Sequence, residues 1–272
     1  MNSYVGLTTL KARMTITGTG DDTQLRTLME AASRAVDNYC RRWFYAKTAT
    51  RYFPGAGSTL FLPDDLLSVT TFKTDDDGDA TFENTLASTD YFLYPLNDVP
   101  KTRAEINPEG DYGSFASGIQ RGVEIAGLWG YGDGESATPY SDSTTTTNEA
   151  LDATETAVDV VSAAVLEVGQ TILVESEQMY ITAISSNTLT VKRGVNGTTG
   201  ATHDTSKTVY IYDYPPEVQE AVMMQTARLW ARKNTAYARV IANPELGQIE
   251  VYRGMDDDVK HLLFEYVRPR YF

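Results

Sequence analysis

The residues best placed to do chemistry are the acids of TFKTDDDGDATFENTL, 71–86, where Asp75, Asp76, Asp77 and Asp79 surround Gly78. Closely spaced carboxylates around a glycine suggest a calcium loop, whose twelve-residue form needs oxygen ligands at positions one, three and five, glycine at six and glutamate at twelve. Neither register fits. A loop begun at Asp75 has Ala80 at the sixth position and Leu86 at the twelfth, and placing Gly78 sixth puts Lys73 first. The flanking runs SVTTFK and ATFENT are β-branched and aromatic, with Asp-Gly between them, so a hairpin turn is expected here and no metal site.

The remaining candidates are few. His203 stands in a turn-rich loop and His261 on a helical pattern beside an apolar face; neither belongs to a ligand set, and each is expected to be solvated or packed. Cys40 is the single cysteine, which excludes an internal disulfide and a cysteine-built zinc site. No G-x-S-x-G, Walker or Rossmann signature occurs, and among 37 acids no glycosidase pair stands out. The expectation is a protein that is not an enzyme and holds no cofactor. The 17 tyrosines and 3 tryptophans could stack on sugars, but Trp43 and Trp230 fall in helical patterns and Trp129 ends a strand, which favours packing. A carbohydrate-binding adhesion module is therefore the second function class.

Positioning these residues requires a sizeable fold. The 272 residues, 42% of them apolar, suffice for one large domain or two small ones, and no apolar run suggests a signal peptide or membrane span, so a soluble, unexported chain with no membrane partner is expected. The net charge of -14 is uneven: residues 1–51 carry +4, 52–213 carry -18 and 214–272 are neutral. After Asp21 and Asp22, TQLRTLMEAASRAVDNYCRRWF spaces Leu25, Leu28, Met29, Ala32, Val36, Tyr39 and Trp43 three or four apart, predicting an amphipathic helix. Residues 48–130 read as short antiparallel strands broken by Gly, Pro and Asp. Helical periodicity returns after Pro215 and Pro216 in EVQEAVMMQTARLWARK, and again in DDDVKHLLFEYV.

Between these lie GYGDGESATPYSDSTTTTNEA, nearly devoid of apolar residues, and a run of strands from Leu151 to Asp213 with turns at SSN and NGTTG. The expected class is α+β. A helical bundle of N- and C-terminal helices with an antiparallel β region spans 1–130 and 211–272; 131–150 is a flexible linker, and 151–210 an inserted small β-sandwich or barrel.

Five segments in this order, DDTQLRTLMEAASRAVDNYCRRWF, VTTFKTDDDGDATFENTLASTDYFLYP, RGVEIAGLWGYG, PPEVQEAVMMQTARLWARK and GMDDDVKHLLFEYVRP, resemble the head-to-tail connector (adaptor) proteins of tailed bacteriophages. The segment TILVESEQMYITAISSNTLTVKRGVNGTTGATHD resembles a small β module found in various phage structural proteins. The resemblance implies a virion structural protein made in the host cytoplasm. Commonly twelve copies form a ring in the neck, bound to the portal, joined to tail or tail-adaptor proteins and passing DNA during packaging and ejection. It also implies a C-terminal segment that reaches the portal, here Val267 to Phe272, and assigns portal binding to Arg268, Arg270, Tyr271 and Phe272. Pro269 should end the last helix near Val267. The alternative within this setting is a sugar-binding adhesion module of the tail or capsid.

Overall fold

In a computed structural model of the chain, residues 2–233, 240–243, 247–250 and 254–269 are described. The elements run α1 (Leu7–Arg13), α2 (Asp22–Cys40), β1 (Lys47–Phe53), β2 (Thr59–Thr74), β3 (Asn84–Thr85), β4 (Tyr91–Tyr94), β5 (Lys101–Ile106) and β6 (Val123–Trp129). There follow β7 (Tyr140–Thr146), β8 (Ala157–Asp159), β9 (Thr171–Val174), β10 (Glu177–Ser185), β11 (Thr188–Lys192) and β12 (Thr208–Tyr212). The chain continues with α3 (Pro216–Arg232), β13 (Val240–Asn243), β14 (Gly247–Glu250), α4 (Asp257–Leu262) and a 3-10 turn, Phe264–Tyr266. The fold is α+β, its sheets antiparallel throughout. No helix among the described residues is long and apolar enough to cross a membrane.

The chain divides into two compact units, one of Met1–Arg41, Tyr140–Val195 and Thr199–Phe272, the other of Arg42–Pro139 with Asn196–Thr198. This differs from the expected division, which joined the terminal helices to the 48–130 strands and set the later strands apart. The helices of the first unit share it with the later strands instead. Its α2 buries Leu25, Met29, Ala32 and Val36, the stripe the spacing predicted, and ends where Arg41 turns left-handed at φ 57. Pro216 opens α3, where its missing amide costs nothing. Asp256 caps α4 by accepting from Asp258 N at 3.1 Å.

The strands of this unit run β7-β12-β9-β10-β11-β8. The two ends of that path meet: Thr147 bridges Val160, Val161 N donates to Thr146 O at 3.0 Å, and Asn148 N to Asp159 O at 2.8 Å. The sheet thus closes into a small barrel around Leu151, Val158, Ile172, Met179, Ile181 and Leu189, leaving no free edge. The closing strand β7 comes from the stretch expected to be a linker. Its residues lack apolar character, yet Ser143, Thr145 and Thr147 point inward and are buried. Their hydroxyls are satisfied: Ser143 donates to Val209 O, Thr147 donates to Asp204 O at 3.1 Å, and Thr145 accepts from Ser162 N at 3.0 Å. The inserted β domain therefore begins at Tyr140 rather than at 151, and 131–150 is not a flexible linker throughout.

In the second unit the sheet runs β1-β6-β2-β5-β4, with β3 on β2. Val123, Ile125 and Trp129 alternate inward along β6 against Phe53, Leu60, Leu62, Phe72 and Phe115. The runs STLFLPD and SVTTFK, expected as separate strands, form one sixteen-residue β2. Its first half pairs with β5 and its second with β6, and Pro63, which cannot donate, falls where the pairing with β5 shifts register between Phe61 and Leu66. Asn196 and Gly197 turn left-handed at φ 55 and 83, and Thr48 N donates to Asn196 O at 2.9 Å. A Cβ on Gly197 would lie 2.0 Å from Thr48 O, so this turn admits only glycine there.

Candidate functional site

The acidic stretch forms a hairpin, with Lys73 opposite Thr85 and Thr74 opposite Asn84, but the connection spans 75–83 instead of a tight Asp-Gly turn. Asp75 is buried and organises the loop: its carboxylate accepts from Gly78 N at 2.6 Å and from Ala80 N at 3.0 Å. Asp77 accepts from Asp79 N at 3.1 Å, Asp79 from Thr81 N at 2.7 Å, and Asp76 from the Asn84 side chain at 2.6 Å. Short acidic side chains folding back on nearby amides stabilise turns without a ligand. The same folding brings oxygens of Asp75, Asp77, Asp79 and Glu83 within 4.8 Å of one another. The linear register missed Glu83 because the loop doubles back on itself.

A second cluster, buried in the barrel, was not singled out by the sequence beyond His203. Glu177 opens β10 and is fully buried. Its carboxylate receives Arg193 Nε at 2.6 Å and Nη2 at 2.7 Å, Gly194 N and Ala201 N each at 3.0 Å, and faces His203 Nε2 at 2.9 Å. Arg193 directs its remaining donors to the carbonyls of Asp152, Glu155 and Ala201 at 2.6–2.9 Å. The other ring nitrogen, Nδ1, lies 2.7 Å from Glu175, which also pairs with Lys207 at 2.7 Å. Burial disfavours the Glu177 carboxylate, but Arg193, the two amides and His203 outweigh it and hold its pKa at about 2. A bidentate pair with every guanidinium donor satisfied offers nothing to a substrate. It fastens the 193–203 loop to the barrel wall. His203 is thus a packed residue, whereas His261 is exposed.

A third feature is the junction of barrel and helices within the first unit. Tyr180 donates to Glu30 at 2.8 Å, Arg26 to Thr182 O at 2.7 Å, Thr171 to Asn2 at 3.0 Å, and Leu7 N to Val168 O at 2.9 Å. Tyr4 donates to Asp37 at 2.6 Å and its ring meets Tyr214 at 4.7 Å. Burial pushes the hydroxyls of Tyr4, Tyr180 and Tyr214 above the ordinary tyrosine range. Beside this junction an apolar groove of about 500 Å³ runs between α1 and the barrel.

Of the residues assigned to portal binding, Arg270, Tyr271 and Phe272 lie outside the described residues. Arg268 lies within them and is buried, with its N–H donating to Cys40 O at 2.9 Å. That bond satisfies a terminal carbonyl of α2. The 3-10 turn stops at Val267, which is extended, two residues before Pro269. Trp129, with its indole donating to Ala49 O at 3.0 Å, is a core residue, and Trp43 is half-buried against the same core.

No family model and no curated protein matches this chain. Among solved structures it is similar to a chain from the neck of an empty GTA particle computed with C6 symmetry, at 12% identity and a TM-score of 0.44, over 99% of this chain and 92% of that one.

Proposed function

We propose that the chain is a structural subunit of a neck ring in a tailed-phage particle, joining the portal to the tail and leaving a passage for DNA, with no catalytic role. The observation that carries this reading is order. The segments that resemble the connector proteins fall on α2, on β2 through β4, on β6, on α3, and on α4 with the 3-10 turn, in the order of the resemblance. Between β6 and α3 stands the barrel, an addition to that plan. With twelve copies the ring would weigh roughly 360 kDa for subunits of 30.0 kDa, a closed cyclic assembly. A reconstruction of the particle neck tests the proposal: several copies around the channel axis are expected, and one copy or none would overturn it.

A further inference from the structure

The two ends of α2 present complementary apolar features. At the Asp22 end, Leu7, Ala12, Ile16, Leu166, Val168 and Ile184 line the open groove of about 500 Å³, with Lys11 and Asp22 at its rim. At the Cys40 end the chain carries α4 and the 3-10 turn, tied there by Arg268 N to Cys40 O at 2.9 Å and Tyr39 hydroxyl to Lys260 O at 3.5 Å. On that turn Phe264 is 68% exposed, more than any other large apolar side chain among the described residues. A single exposed phenylalanine is ordinary; its chemistry and its position relative to the groove give this one weight. The ends of a nineteen-residue helix are roughly 27 Å apart at 1.5 Å per residue, so Phe264 cannot fill its own groove.

We propose that the groove receives Phe264 of a second copy of this chain. This deepens the ring reading and rests on it. The contact joins two different patches, so it is heterologous and propagates from subunit to subunit, as a ring requires. Charge agrees with the pairing. Glu265 sits exposed beside Phe264. Lys11 at the groove donates to Asp22 at 2.6 Å and to Gly18 O, which leaves one of its three ammonium protons for an incoming carboxylate. An aromatic anchor in an apolar pocket with an ion pair at its margin is the composition of an interface centre.

The test replaces Phe264 with photoreactive benzoylphenylalanine in the full chain and maps the crosslinks, beside sedimentation over a concentration series. Intermolecular crosslinks to residues 7–16 or 166–184 are expected. Phe264→Asp and Ala12→Trp, both at exposed positions, are each expected to abolish the concentration-dependent rise in sedimentation while leaving the circular dichroism unchanged. Self-association that persists in both variants, or crosslinks confined to other surfaces, would overturn the groove as the contact and leave the ring intact. A chain that stays monomeric at every concentration would overturn this contact too, and the neck reconstruction would still decide the ring separately.

Discussion

Two acidic residues show how little charge alone says about role. Asp75 and Glu177 are both buried carboxylates, and both are bound by backbone amides. Asp75→Ala would strand the amides of Gly78 and Ala80, and a loss of about 1–3 kcal/mol in chemical denaturation is expected, against almost none for the exposed Asp77→Ala. Because Asp75 already serves these amides, added calcium is expected to leave the melting temperature unchanged; a calcium-dependent rise would make the four-carboxylate loop a metal site. For Glu177 the sign follows from its depressed pKa. An unfolded glutamate titrates near 4.5 and the folded one at about 2, so its stabilisation is complete above 4.5 and fades as pH falls toward 2. Glu177→Gln should flatten that part of the stability profile while lowering stability at neutral pH, where Arg193 would remain buried without its counter-charge. The aspartate run drew attention in the sequence because its acids are adjacent. The stronger cluster was illegible because Glu177, Arg193 and His203 are brought together only when β10, β11 and the following loop close on one another.

At the scale of elements, amphipathic helices were the legible part: α2, α3 and α4 each announce themselves by spacing and by Asp or Pro at their starts. The strands of the second unit were also visible as alternations, although β2 looked like two strands because Pro63 interrupts it. What sequence patterning missed was β7, since its inward residues are Ser and Thr and carry no hydrophobic signal. Strand closure there is supported by hydroxyls that find partners on the neighbouring strand β12 and in the adjoining loops. The short helix α1 and the β13–β14 hairpin were likewise passed over, being too brief for a periodicity to show. The consequence is a test of cooperativity. Because Tyr180, Thr182, Thr171 and Val168 bind the barrel to α1, α2 and the irregular N-terminal segment before them, replacing residues 140–212 by a short Gly/Ser linker should abolish the cooperative thermal transition of the helices. An unchanged helical transition in that variant would show that the barrel folds as an appendage. Alkaline titration probes the same junction. The tyrosines there have raised pKa values, so their contribution is complete below pH 10 and is lost above it, as the unfolded phenols ionise first.

For the whole molecule the question is how an acidic protein would treat DNA moving past it. Sequence counting leaves the N-terminal segment with a surplus of four positive charges, a distribution that by itself would invite phosphate binding. The structure pairs many of those cations. Lys11 meets Asp22, Arg13 meets Glu220, Arg34 meets Asp37, and Arg42 meets Asp65, while in the barrel Arg193 and Lys207 are held by Glu177 and Glu175. A phosphate arriving at any of them would face the carboxylate already bound there. Affinity for a duplex grows with the number of phosphates neutralised, through release of condensed counterions, and the slope against salt counts them. With many of these cations paired and the net charge at -14, that number should be small. The purified chain is therefore expected to leave the anisotropy of a labelled duplex unchanged at physiological salt and to bind only weakly at low salt, with a shallow salt dependence. Such indifference suits a conduit, where each grip on the backbone would slow the strand in transit. Tight binding with a steep salt slope would mean that unpaired cations outside these contacts gather on one face, and would turn the proposed passage into a DNA-holding site.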